Sequence, residues 1–128
     1  MSYTELRAHT AFSFSDGAVT PEALAGKAAE LGFTTIGISD TADLGGVVRF
    51  VLECRRLSLK PVIGVELNVD GRPAAFYAQN AEGMRNISAL VTRARVGSLS
   101  GWVKGQSADK RGRPRVSWSD VVQRSAGI

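Results

Sequence analysis

Polar side chains that can bind cations or exchange protons follow three predicted strands at the points where those strands end. His9 and Asp16 follow a strand over Thr4–Ala8, Asp40 and Thr41 follow a strand over Thr34–Ser39, and Glu66 follows the apolar run Pro61–Val65. The carboxyl ends of parallel strands meet at one end of an α/β sheet or barrel, where enzymes of this class place their sites. We therefore expect these side chains to converge on one candidate site.

Two helices are predicted between the strands. The first has Thr20 as its N-cap, Pro21 at its first position and Gly32 at its end. Its apolar face is expected to consist of Leu24, Ala28 and Leu31. The second helix runs from about Leu44 to Leu57, and apolar residues recur along it at helical spacing: Val47, Phe50, Val51, Cys54 and Leu57.

The second half of the chain continues the alternation of strands and helices. Asp70-Gly71 is a hairpin signal that predicts a return strand over Ala74–Ala78 after the strand Val62–Val69. Asn80 then caps a third helix from Ala81 to about Arg95, with the apolar positions Met84, Ile87, Leu90, Val91 and Ala94 facing inward. The resulting order β-α-β-α-β-β-α predicts an α/β domain.

Composition excludes several classes of protein. The chain has 128 residues, 44% of them hydrophobic and 22% charged, which is enough for one small domain with a real core. No apolar run reaches the length of a membrane span, and the single cysteine, Cys54, leaves no intrachain disulfide, as is typical of a cytoplasmic protein. The glycines fit neither a P-loop nor a dinucleotide motif, and no serine has a histidine partner for nucleophilic catalysis.

The charge is concentrated in the last third of the chain. Residues 1–90 carry eight Lys/Arg and ten Asp/Glu, whereas residues 91–128 carry eight Lys/Arg and two Asp/Glu. The stretch 97–115 has the composition of a flexible loop, and its basic residues are Lys104, Lys110, Arg111, Arg113 and Arg115. With Trp102 and Trp118 flanking these basic residues, the stretch is a weak candidate for nucleic-acid binding. We favour the alternative, a solvated loop that keeps the protein soluble.

Several sequence blocks resemble the opening of a PHP (polymerase and histidinol phosphatase) domain. They are Leu6-Arg-Ala-His-Thr10, Phe14-Ser-Asp-Gly17, Gly37-Ile-Ser-Asp-Thr41 and Lys60-Pro-Val-Ile-Gly-Val-Glu66. The likeness spans roughly residues 3–96 and is greatest to the domain at the N-terminus of the bacterial C-family replicative polymerase, the DNA polymerase III alpha subunit. It implies a distorted (β/α) barrel of which this chain holds only the first part.

The resemblance also implies a site, which this sequence only partly retains. Active PHP domains hold several divalent ions, and His9, Asp16 and Glu66 match ligand positions of the family. Arg7 and Thr41 occupy positions that are histidines there, and an arginine cannot ligate a cation. We expect a vestigial site with no cofactor, or at most one weakly bound Zn²⁺, Mn²⁺ or Mg²⁺, in a pocket that includes Arg7, Asp40 and Thr41. Arg7 is expected to pair with Asp16, Asp40 or Glu66 in place of the metal.

The expected organisation is a PHP-like core over residues 1–96, a basic loop over 97–115, and a short helix with the truncated end of the domain over 116–128. A capping box at Ser117–Asp120 predicts that helix. The expected role is a structural, partner-docking part of a DNA-directed DNA polymerase, with no catalysis of its own. Its expected partners are the other polymerase domains, a proofreading exonuclease and, through the basic loop, DNA. The alternatives are an error-prone polymerase paralogue and a metal-dependent phosphoesterase resembling histidinol phosphatase.

Overall fold

The computed structural model describes residues 3–13, 16–100 and 114–128, and of residues 97–100 only the backbone. These residues form two compact units, Met1–Val65 and Glu66–Ile128. Within the described part of the chain, no helix has the length and apolar character needed to cross a membrane.

The first unit contains α1 (Pro21–Glu30), β1 (Thr35–Thr41), α2 (Val47–Arg56) and the beginning of β2 (Lys60–Val69), which lies beside β1. The predicted start of α1 is confirmed, because the Thr20 hydroxyl accepts a hydrogen bond of 3.1 Å from the Ala23 amide. Gly32 follows the helix with φ of +77°, a left-handed conformation that glycine adopts without steric cost. Leu31, predicted to face inward, is 61% exposed, because the helix has already ended at Glu30.

The first predicted strand, Thr4–Ala8, is not a regular strand. Its backbone runs beside β1 and accepts two hydrogen bonds, from the Gly37 amide to the Glu5 carbonyl and from the Ser39 amide to the Ala8 carbonyl. The two donors lie two residues apart and the two acceptors lie three residues apart, so the extra residue breaks the repeat of a parallel ladder. The Leu6 backbone approaches β1 so closely that a Cβ at Gly37 would lie 2.6 Å from the Leu6 carbonyl oxygen.

The core of the first unit lies between β1 and the two helices. Ile36 and Ile38 of β1 pack with residues of α1 and α2, and the buried set is Ala25, Ala28, Ile36, Ile38, Phe50, Cys54 and Leu59. The predicted stripe of α2 is confirmed, since Val47, Phe50 and Cys54 are buried and Val51 and Leu57 are packed against the core. Burial raises the pKa of the Cys54 thiol to about 11, and the nearby Glu53 charge acts in the same direction.

The second unit contains the end of β2, β3 (Arg72–Tyr77), α3 (Ala81–Ser100), β4 (Arg115–Val116) and α4 (Trp118–Gln123). The predicted hairpin is confirmed: β2 and β3 are neighbours joined by Asp70 and Gly71, which have φ of +48° and +91°. Two positive φ values in a two-residue turn match the right-handed twist of the flanking strands. β4 pairs with β2 in parallel, with Asn68 opposite Arg115 and Val69 opposite Val116.

Both ends of the predicted loop 97–115 are corrected. α3 continues to Ser100, beyond the predicted end at Arg95, because its buried side chains up to Ala94 already anchor the helix and the glycine at position 97 weakens it without ending it. At the other end Arg115 belongs to β4. Lys104, Lys110, Arg111, Arg113 and Trp102 lie outside the described residues.

The chain beyond β4 is held by its own capping box and by contacts with the start of α3. The predicted capping box is confirmed, because the Ser117 hydroxyl accepts from the Asp120 amide at 3.1 Å and Asp120 accepts from the Ser117 amide at 3.0 Å. The tail after α4 lies along the first turns of α3, where the Gln79 amide donates to the Gly127 carbonyl at 2.8 Å. A Cβ at Gly83 would overlap that carbonyl, so only glycine permits this approach.

Candidate functional site

His9 and Asp16, two of the predicted metal ligands, lie together in the first unit. His9 Nδ1 is 2.6 Å from Asp16 Oδ2, and the two side chains are 13% and 65% exposed. A carboxylate on Nδ1 fixes the orientation of an imidazole and leaves Nε2 as the nitrogen that can act on a third group. Their role as metal ligands stays a prediction.

A compact turn brings these two residues together. The Ser13 amide donates to the Thr10 carbonyl at 2.9 Å, and the Ser13 carbonyl in turn accepts from the Asp16 amide at 2.9 Å. The backbone at Gly17 passes so close to Thr10 at the start of the turn that a Cβ at Gly17 would overlap the Thr10 carbonyl oxygen. The spacing of seven residues between His9 and Asp16 therefore follows from a folded loop with a glycine at its point of closest approach.

Asp40, predicted as a pocket residue, lies at the centre of a buried hydrogen-bond network. Its Oδ1 accepts from the Thr10 amide and from the Ser13 hydroxyl, both at 2.6 Å, and its Oδ2 accepts from the Thr10 hydroxyl at 2.7 Å. Asp40 is 2% exposed, and Thr10 and Ser13 are fully buried. The Ser13 hydroxyl also accepts from the Thr41 amide at 3.0 Å, which ties the loop to the end of β1.

The alternation of side chains along β1 separates Asp40 from its neighbours. Ile36, Ile38 and Asp40 share the face that packs against the helices, whereas Ser39 and Thr41 share the opposite face. On its own face Asp40 lies near the start of α2, since a Cβ at Gly46, the N-cap of α2, would be 3.5 Å from Asp40 Oδ2. A helix N-terminus favours a negative charge at this place.

The remaining predicted site residues are placed as follows. Arg7 is exposed, and its backbone amide donates to Glu5 at 2.8 Å; its predicted pairing with a carboxylate stays a prediction. Thr41 is exposed at the end of β1. Glu66 is 8% exposed in β2 and belongs to the second unit.

Among the described residues, the side chains that could ligate a metal ion are not grouped as a polynuclear centre. Both oxygens of Asp40 are already occupied by three hydrogen bonds from Thr10 and Ser13. Asp16 is engaged by His9, and the position expected to supply a further histidine is an arginine with no acceptor atom. Across residues 3–13, 16–96 and 114–128, no three His, Cys, Asp or Glu side chains are grouped so that they could hold a metal ion.

Comparison with protein families identifies the domain. The description of the matching family is "PHP domain", and the match covers residues 5–128. The chain belongs to the PHP family. The family prediction is therefore confirmed. The match extends to residue 128, whereas the likeness in the sequence blocks spans only residues 3–96.

Curated relatives of this PHP domain include error-prone DNA polymerases. It is 38% identical over 98% of its length to an error-prone DNA polymerase of Anaeromyxobacter sp. (strain K), and 30% identical over 99% of its length to one of Mycobacterium tuberculosis (strain ATCC 25618 / H37Rv). The chain spans only 12% of the length of each of these relatives. Both carry the error-prone name, which the sequence left as an alternative to the replicative alpha subunit.

Solved structures confirm the predicted α/β class. The chain is similar to an amidohydrolase from Chromobacterium violaceum, determined with bound sulfate and no metal, with a TM-score of 0.60, 25% identity, and coverage of 76% of this chain and 34% of that one. A protein described as a metal-dependent phosphoesterase from Bifidobacterium adolescentis shares the fold, with a TM-score of 0.59, 20% identity, and coverage of 98% and 44%.

Sequence reasoning missed the two hydroxyl residues that organise the site. Neither Thr10 nor Ser13 is among the site residues that the sequence predicts. The available signal was their spacing, because Thr and Ser three residues apart in a turn commonly bond to nearby backbone and carboxylate groups. A buried aspartate at a strand end needs such donors.

Proposed function

We propose that this chain is a non-catalytic PHP domain of a C-family, error-prone type DNA polymerase, with a degenerate metal site and a structural role. The observation that supports the non-catalytic part is the set of side chains available: Arg7 and Thr41 stand at positions that are histidines in the family, and no three His, Cys, Asp or Glu side chains are grouped to hold a metal ion within the described residues. Asp40, whose oxygens accept three hydrogen bonds inside the fold, holds its own loop in place, which agrees with a structural role. The polymerase assignment is supported by relatives that match nearly the whole chain.

The proposed role is structural. The domain presents a folded α/β surface to the other polymerase domains and to a proofreading exonuclease, in the cytoplasm, while polymerisation takes place elsewhere in the parent protein. Arg7 supplies a fixed positive charge at the position where active relatives of the family place a metal-binding histidine. Such an exchange retains positive charge in the pocket without the need for a metal.

The metal content of the purified protein tests this proposal. Elemental analysis is made on the native chain and on an Arg7→His/Thr41→His variant, which restores the two histidines of the family. A matched control, Arg55→His/Thr92→His, adds the same number of histidines at exposed helix positions. We expect no bound metal in the native chain or the control, and bound Zn²⁺ or Mn²⁺ in the variant. A divalent ion bound one-to-one by the native chain refutes the degenerate site.

A metal-dependent phosphoesterase is the second candidate. The observation in its favour is the His9–Asp16 pair, because metal-binding histidines commonly carry a carboxylate on their other ring nitrogen. Hydrolysis of a chromogenic phosphate ester with Mn²⁺ or Zn²⁺ separates the two functions. Turnover that disappears in His9→Ala supports the phosphoesterase, and turnover that persists in that variant indicates a contaminant.

A further inference from the structure

A groove between α3 and α4 in the second unit has the features of an anion site. Its volume is about 270 Å³, and the residues that line it are Ala89, Leu90, Arg93, Asp120, Gln123 and Arg124. Two arginines therefore line one concave surface together with a single acidic residue. No function considered so far uses these residues.

The single carboxylate cannot neutralise both arginines. Asp120 Oδ2 accepts from the amide and the hydroxyl of Ser117, at 3.0 and 2.9 Å, and Oδ1 is 3.3 Å from Arg93 Nε. These contacts, with the Ser117 amide foremost, hold the pKa of Asp120 below its usual value. The carboxylate therefore stays ionised, with its oxygens engaged by Ser117 and Arg93. Arg124 forms no ion pair with any residue that the structure describes.

The walls of the groove are fixed before any ligand arrives. The capping box orients α4 at one end, and the Asn86 side chain donates to the Ala126 carbonyl at 2.8 Å beyond the other end. A preorganised site loses less conformational entropy when a ligand binds than a flexible surface does. Arginine forks are suited to oxyanions, because each presents parallel N–H donors to two oxygens.

We infer that the α3–α4 groove binds a phosphate group of a nucleic-acid strand through Arg93 and Arg124. An open groove of about 270 Å³ has room for a phosphate group while the rest of the polymer lies outside it. The charge of the described residues in this part of the chain favours a polyanion, since residues 91–96 and 114–128 carry four arginines against one aspartate. This inference does not rest on the proposed metal site, and either can fail without the other.

Fluorescence anisotropy with a labelled 20-nucleotide single-stranded DNA tests the inference on the full chain. Arg124→Ala is expected to raise the dissociation constant about three- to tenfold and to reduce the salt slope by about 0.7, the loss of one phosphate contact. The matched control is Arg72→Ala, which removes an equally charged, exposed arginine of β3 that does not line the groove. It is expected to change the constant by less than about twofold, since only general attraction is reduced.

NMR of the arginine side chains locates the bound oligonucleotide directly, even if the dissociation constants change little. The Nε–H signals of Arg93 and Arg124 are expected to shift on titration with the oligonucleotide, while that of Arg72 stays in place. Equal effects of Arg124→Ala and Arg72→Ala, or no oligonucleotide binding at low salt, overturn the inference. Displacement of the oligonucleotide by hexaglutamate at equal concentration also overturns it, because the groove is then a site for acidic peptides. Inorganic phosphate is expected to compete only at millimolar concentration or above.

Discussion

Removal of the Asp40 carboxylate is the most direct test of the buried network. In Asp40→Ala the Thr10 amide, the Thr10 hydroxyl and the Ser13 hydroxyl lose their shared acceptor. All three groups belong to residues with no exposed surface, so water cannot replace the carboxylate without opening the loop. The substitution therefore affects the fold of the first unit and not only a candidate ligand.

The expected magnitude follows from the number of donors. A buried donor left without a partner costs about 1–1.5 kcal/mol at the lower part of the usual range, so the three donors predict that Asp40→Ala lowers the free energy of unfolding by about 3–4.5 kcal/mol. Removal of the buried charge itself returns part of its desolvation cost, which is why the lower part of the range applies. Asp40→Asn keeps the shape and one oxygen acceptor, and we expect it to cost about 1–2 kcal/mol.

Urea unfolding followed by circular dichroism at the helix band measures both losses. The control is Glu30→Ala, which removes an exposed carboxylate in an ion pair with Lys27 and is expected to cost less than about 0.5 kcal/mol. A loss below about 1 kcal/mol in Asp40→Ala, with an unchanged urea slope, refutes the structural role of the carboxylate. Loss of a bound metal with unchanged stability identifies Asp40 as a ligand instead.

Two further predictions concern the tail and the core. Gly83→Ala is expected to destabilise the chain and to speed removal of the last residues by carboxypeptidase, because the new Cβ overlaps the Gly127 carbonyl. Gly26→Ala in α1 is the matched control, because its Cβ would meet nothing within 4 Å. It is expected to stabilise the chain by about 0.5–1 kcal/mol. If both variants change the free energy of unfolding in the same direction, the packing seen at Gly83 is contradicted. The Cys54 thiol, whose pKa is raised to about 11, is expected to react with a disulfide reagent at pH 8 at least about 100-fold more slowly in the folded chain than in urea. Equal rates in the two conditions contradict the burial of Cys54.

Much of the fold could be predicted from local sequence. The N-cap at Thr20, the hairpin at Asp70-Gly71 and the capping box at Ser117 all depend on residues within one turn of each other. The stripe of α2 could be predicted for the same reason, because its spacing is set by the pitch of a helix. The family could be assigned because its motifs are short blocks in a fixed order.

Contacts between residues distant in sequence could not be predicted in this way. The break in the ladder beside β1 depends on how the Leu6 backbone meets Gly37, thirty-one residues later. The bond between the C-terminal tail and the start of α3 joins positions 79 and 127, and nothing in either segment alone indicates it.

The candidate site shows the same division. The sequence by itself determined which side chains are available, namely one histidine, its nearby aspartate and an arginine in place of a second histidine. Only the tertiary structure decided that Asp40 faces the helices and accepts hydrogen bonds from Thr10 and Ser13. Thr41, one residue later, is exposed. The physical reason is that successive residues of a strand point to opposite faces, and a buried carboxylate is stable only where the rest of the fold brings donors to it.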